Sequence, residues 1–118
     1  MLGIQEIDST RLAEMVAANE EDYLLVDVRT PAEMAQGMLA GAEAVPMHLV
    51  PSQLEAWRSR KKIVVYCRTG ARSGHVCAWL QQQGVGQAIN LSGGIVGWHR
   101  QGYPVEKPDT VGLAGCSG

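Results

Sequence analysis

Cys67-Arg68-Thr69-Gly70-Ala71-Arg72-Ser73 combines residue types that can carry covalent chemistry. The reactive form of cysteine is the thiolate, and a free thiol ionises at about pH 8.5. Here the thiol follows the apolar run Ile63-Val64-Val65-Tyr66 and precedes a helix expected from Ser73. That order sets the sulfur among backbone N–H groups at a helix N-terminus, which favours negative charge. Arg68 and Arg72 add two cations. A nucleophile ionised by its surroundings needs no general base. Four residues separate Cys67 from Arg72, a C-x4-R spacing. The compact ring this closes can surround a single sulfur atom. A phosphoryl group with three equatorial oxygens needs a wider cradle, usually one residue longer. The spacing therefore favours transfer of sulfur over transfer of phosphate. A cation at a helix N-terminus is disfavoured unless an anion joins it, so Arg72 is a candidate anion-binding residue. Arg68 is either a second one or a solvent-facing charge at the rim.

The elements that must position this loop are readable from the pattern. Ile4–Ile7 reads as a short strand, and Asp8 or Ser9 caps a helix over 10–19 with Leu12, Met15 and Val16 on its apolar face. Tyr23–Val28 and Ile63–Tyr66 are near-continuous apolar runs, as expected of strands covered on both faces. Thr30 and Glu33 form a capping box, with Pro31 at the first helical position and Gly37 as the stop. A brief strand is expected over 44–47, a short helix over 51–57, a helix from Ser73 to Gln83, a strand over 87–91 and a last helix over 95–100. Strands alternating with helices at this density predict an α/β domain with a mainly parallel sheet of about five strands, flanked by helices on both faces. Ligands of such sheets bind beyond the carboxyl ends of the strands, where Cys67 falls. Asp27 ends its own strand near the same edge, where it could pair with Arg72 or Arg29 and fix the loop, or be a plain surface carboxylate. Arg29 with Glu33 reads as an architectural ion pair.

Length and composition bound the function. The 118 residues suffice for one domain and one sizeable core. With no Phe, that core relies on aliphatic residues and on Trp57, Trp79 and Trp98. A net charge of −2 gives no reason to expect nucleic acid or an anionic membrane as partner. Arg58, Arg60, Lys61 and Lys62 precede the cysteine strand, so a locally positive mouth suits a small anion. No run approaches the roughly 18 apolar residues of a membrane span, and the N-terminus lacks the regions of a secretory signal, so a cytoplasmic location is expected. Cys67, Cys77 and Cys116 form no C-x-x-C pair, which argues against a zinc site or a disulfide framework. No metal or cofactor is implied. After Val105 the amphipathic pattern ends. Residues 1–105 are read as the domain and 106–118 as a surface tail carrying Cys116.

These residues resemble the rhodaneses, the sulfurtransferase domains, in their single-domain form. Val65 to Ser73 resembles the active-site loop. Leu25-Val26-Asp27-Val28-Arg29 with Glu33 resembles the D-x-R segment, and Gly37–Ala42 with Val45-Pro46 resembles G-H-I-P-G-A…I-P. Leu91-Ser92-Gly93-Gly94 with Trp98 resembles the terminal L-x-G-G-x-x-x-W. The likeness spans about residues 4–105, with Met38 and Ala40 standing where the family has His and Pro. It implies a persulfide relay. Cys67 would take sulfur from thiosulfate or a persulfide and pass it to a thiol, or to cyanide in an assay. The amides of the 68–73 loop (Arg68, Thr69, Gly70, Ala71, Arg72 and Ser73) would hold the anionic sulfur, and Arg72 the donor's oxyanion. The partners this resemblance implies are a small sulfur-containing anion and, as a further one, a sulfur-carrier protein.

Other readings stand beside this one. A phosphatase or arsenate reductase would use a loop one residue longer. A non-catalytic docking module of the same fold typically lacks the cysteine. The Met34, Met38 and Leu39 region, if exposed, would be a docking surface. Cys77 lies on the inward helix face as a small buried residue, and His75 and His99 read as solvated, whereas His48 could line the pocket. Cys116 could swing to Cys67 as a resolving or relay thiol, or be an incidental exposed one.

Overall fold

The structure is a computed structural model that describes residues 3–20 and 22–107. Five strands form one sheet: β1 (Gln5–Ile7), β2 (Leu24–Asp27), β3 (Glu43–Ala44), β4 (Ile63–Tyr66) and β5 (Ala88–Leu91). Every pairing is parallel, in the order β1-β5-β4-β2-β3. The two continuous apolar runs are the central strands β2 and β4, buried along their whole length. Both faces of the sheet are covered, as parallel crossovers require. On one face Leu24, Val26, Ile63 and Val65 pack with Trp57 of α3 (Leu54–Arg58) and with Val76, Cys77 and Leu80 of α4 (Ala71–Gln82). On the other, Leu25, Val64 and Tyr66 pack with Leu12 and Met15 of α1 (Ser9–Ala17) and with Ile95 and Trp98 of α5 (Gly94–Arg100).

Several boundaries differ from the sequence pattern for local reasons. Asp8 is the cap of α1, its side chain accepting from the Arg11 N–H. The expected capping box is present, and α2 covers Pro31–Met34. The expected helix over 51–57 is instead a 3-10 helix at Met47–Gln53 running into α3, because Pro51 lacks the N–H that α-helical bonding needs. After α5 the chain returns along α2, and Met38 and Glu106 exchange backbone hydrogen bonds. This pairing reaches one residue beyond the expected limit at 105. Met34, Met38 and Leu39 are buried, so that segment offers no docking surface; among the described residues the exposed large apolar side chains are Val16, Met47 and Leu49. Among the described residues no helix is long and apolar enough to cross a membrane. Cys116 lies outside the described residues.

Candidate active site

Side chains alternate along β4, so Cys67, one residue past its end, joins Ile63 and Val65 on the face that α4 covers. The turn that follows is tight. Gly70 takes φ +105° as the cap of α4, a left-handed conformation that suits glycine. This starts the helix at Ala71, two residues before the expected Ser73. Ser73 therefore falls in the first turn, whose N–H groups have no partner within the helix. They find the sulfur instead. Cys67 Sγ accepts from the Gly70 N–H at 3.1 Å, the Ser73 N–H at 3.4 Å and Ser73 Oγ at 3.3 Å. Burial pushes the thiol up, but hydrogen bonds from the Ser73 side chain and from the N–H groups of Ser73, Gly70 and Thr69 outweigh it. The thiol sits below its ordinary value. Cys77, by contrast, is pushed up to about 12, chiefly by burial. These surroundings favour the thiolate at Cys67 and the thiol at Cys77.

The loop is held from behind by α5. The N–H groups of Ile95 and Val96 donate to the Cys67 and Arg68 carbonyls, each at 3.0 Å. Gly94 makes this approach possible. A Cβ there would lie 2.5 Å from the Arg68 oxygen and 2.6 Å from the Cys67 oxygen, at φ +58°. Gly94→Ala is expected to cost about 1–3 kcal/mol from backbone strain alone, read as a lowered urea midpoint. It should also slow alkylation of Cys67, since the loop that crowns the sulfur must shift.

Of the expected ion pairs, Asp27 with Arg29 is present and Arg29 with Glu33 is not. Arg72 donates to both oxygens of Glu33, each at 2.8 Å. The anion that compensates Arg72 at the helix N-terminus is thus a side chain of this protein. Arg29 does not pair with Glu33 as expected. It folds back on Asp27, with Nη2 at 2.7 Å from Oδ2, Nε at 3.0 Å from Oδ1 and its own N–H at 3.0 Å from Oδ1. At 0% exposure Asp27 is no surface carboxylate, and Arg29 is buried beside it. The reason is local: Asp27 is two residues away, and the Thr30 cap turns Glu33 onto α2 toward Arg72. Arg29 also donates to the Gly37 carbonyl and lies over the Tyr66 ring, whose hydroxyl accepts from the Leu39 N–H. Two buried side chains thus tie the strand ends to the 37–39 turn.

The Arg72 hydrogen bonds hold the Glu33 carboxyl at about 2, against an ordinary 4.5. A carboxylate depressed in the folded state stabilises the protein above its unfolded value, and this is lost as pH falls through the folded one. The stability difference between wild type and Glu33→Gln is therefore expected to be flat above about pH 5 and to shrink progressively below about 4.5, toward 2. Denaturation series at several pH values measure it.

Two open clefts flank the loop. One of about 330 Å³ lies against Arg68, Gln36, Ile95, Val96 and His99. The other, of about 340 Å³, is lined by Thr30, Pro46, Met47, His48 and Arg72. His48 thus lines a cleft as expected, His99 lines one while remaining exposed, and His75 is exposed. Arg68 is exposed and has no ion pair among the described residues. Thr69 and Ala71 are exposed beside it. Among the described residues no three His, Cys, Asp or Glu side chains gather to hold a metal. Sequence reasoning missed Asn90, whose Oδ1 lies 2.6 Å from Ser73 Oγ. The available signal was a carboxamide inside the apolar strand Ala88-Ile89-Asn90-Leu91.

Comparison with known proteins agrees with this architecture. The profile described as "Rhodanese-like domain" matches residues 8–101. A protein named "Sulfurtransferase" from Allochromatium vinosum is 49% identical over 106 residues, covering 90% of this chain and 98% of that one. The "Putative sulfurtransferase YtwF" of Bacillus subtilis is 38% identical over 101 residues, covering 86% and 96%. The crystal structure of a rhodanese-like domain protein from Staphylococcus aureus superposes with a TM-score of 0.77 at 26% identity, covering 90% of this chain and all of that one. With the sulfur-crowning loop, the parallel sheet and the family profile covering most of its length, this chain belongs to the rhodanese-like domain family.

Proposed function

We propose that this protein is a rhodanese-type sulfurtransferase that carries sulfane sulfur on Cys67. The observation that carries the reading is the set of hydrogen bonds aimed at Cys67 Sγ from the turn and first helical residues. The sulfurtransferase names of its relatives support it. The Cys67 thiolate attacks the outer sulfur of thiosulfate, forming a new S–S bond. The old S–S bond breaks, and sulfite leaves with its electron pair. A low-molecular-weight persulfide would serve in the same way, leaving as a thiolate. In the second half, an acceptor thiolate or cyanide attacks the terminal sulfur and Cys67 leaves as thiolate. The scheme is covalent and ping-pong, with no external oxidant and no cofactor.

The arginines divide the work. Arg72, tied to Glu33, holds the start of α4 in place. Arg68, exposed and without an ion pair among the described residues, faces the donor's oxyanion. Arg68→Ala is expected to raise the thiosulfate KM about tenfold, the equivalent of about 1.4 kcal/mol, and to leave kcat within about twofold. The test of the function itself is intact-mass measurement after thiosulfate treatment. The protein should gain the mass of one sulfur atom and lose it to cyanide with release of thiocyanate. A protein that turns over without carrying the extra sulfur overturns the reading.

A further inference from the structure

The Ser73 hydroxyl has one proton and two acceptors for it. Its Oγ lies 3.3 Å from Cys67 Sγ and 2.6 Å from Asn90 Oδ1. The Asn90 carboxamide is not free to turn and release the hydroxyl. Its Nδ2 donates to Glu6 Oε2 at 2.9 Å and to the Gly70 carbonyl at 3.1 Å. An ionised carboxylate and a carbonyl can only accept, so the amide nitrogen must face them. Oδ1 is left facing Ser73 as an acceptor. Ser73 is 0% exposed and Asn90 2%, so bulk solvent does not relieve the competition.

While Cys67 is a thiol, every group is satisfied: S–H donates to Ser73 Oγ, and the Ser73 O–H donates to Asn90. On ionisation the sulfur has no proton to give and attracts one. Hydrogen bonds to an ionised acceptor are about twice as strong as neutral ones, which draws the Ser73 O–H to sulfur. The turn leaves Asn90 Oδ1 buried without a donor, a penalty charged to the thiolate.

We propose that Asn90 is a positioning residue that sets the ionisation of Cys67 by competing for the Ser73 hydroxyl proton, with Ser73 as a rotor between carboxamide and sulfur. This rests on the reading of Cys67 as the nucleophile. Within the rotor no bond breaks: the O–H turns about the Cβ–Oγ bond, and the thiol proton leaves to solvent. Among the described residues, Arg72 and Cys77 on α4 also bear on the sulfur, Arg68 is its neighbour in the chain, and Glu6 of β1 acts through Asn90. Asp27 of β2 acts on Arg72, which Glu33 compensates. Asn90 has a second effect, because its Nδ2 also steadies Gly70, whose N–H donates to Sγ. A two-by-two set of variants separates the two.

The experiment measures the alkylation rate of Cys67 by iodoacetamide against pH in wild type, Asn90→Ala, Ser73→Ala and the double variant. Peptide mass spectrometry confines the reading to Cys67, and no turnover is needed. Loss of sulfur transfer and loss of this proposal are therefore separate outcomes. The shift of the titration midpoint caused by Asn90→Ala is expected to be about one pH unit more negative when Ser73 is present than when it is alanine. A difference of zero, or of opposite sign, overturns the proposal. Should Asn90→Ala fail to fold, the isosteric Asn90→Leu takes its place in the set. Ser73→Ala alone must raise the midpoint; an unmoved midpoint means the hydroxyl never turns to sulfur and overturns the proposal too.

Discussion

Cys67→Ser is expected to reduce sulfur transfer to the uncatalysed background while leaving the fold intact. A serine oxygen would sit among the same donors, Gly70 N–H, Ser73 N–H and Ser73 Oγ, so no buried polar group is orphaned. An alcohol, however, stays protonated where the crowned thiol ionises, and it forms no persulfide. The thiol lies below its ordinary value, and its thiolate fraction falls as pH drops through the folded value. The wild-type rate should therefore fall on the acid side. Two measurements decide: thiosulfate–cyanide turnover, and intact mass after donor treatment of both proteins. Retained turnover in Cys67→Ser, or a sulfur adduct found on Cys77 or Cys116 instead, would place the chemistry on another thiol. Cys77, pushed up to about 12 by burial, is a poor candidate for that.

The largest effect on stability is expected from Asp27→Ala, about 3–5 kcal/mol, because one charge of a buried pair is left behind. Asp27 and Arg29 are both buried, and the carboxylate accepts the Arg29 backbone N–H as well as its guanidinium. Without it the guanidinium has the Gly37 carbonyl and the Tyr66 ring, which cannot compensate a full charge. The urea midpoint should fall with an unchanged slope. The double replacement Asp27→Leu with Arg29→Met removes both charges and should recover most of the loss, since apolar substitutes for a buried pair are often neutral. If the single variant loses less than about 1 kcal/mol, the pair is not the tie that joins the strand ends to the 37–39 turn.

Elements and chemistry were legible in the sequence to different degrees. The apolar runs Leu24–Asp27 and Ile63–Tyr66 declared themselves because both sheet faces are covered. The Thr30–Glu33 box and Pro31 marked α2 because capping chemistry is local. Cys67 and its loop were readable because the crown is made by residues adjacent in the chain. Partner choice across distance was not. Glu33 meets Arg72, 39 residues away, and nothing in the spacing separates that pairing from Arg29 with Glu33. Asn90 reaches Ser73 across strand and helix, so its role required the fold. The expected docking patch at Met34, Met38 and Leu39 failed because the strap ending in Glu106 and the Tyr66 hydroxyl fold that turn into the core.

That strap has a practical consequence. Val105 helps line the cleft beside Arg68, and Glu106 is tied to Met38, so this strap lies at the rim of that cleft. A bulky label attached at Lys107 therefore starts its path next to that cleft, where it can shade approaching reagents. β1 runs parallel to β5, its one neighbour in the sheet, so its beginning lies at the end of the sheet away from Cys67. A label attached at the exposed Gln5 keeps its distance, and kinetic work is best done with labels placed there.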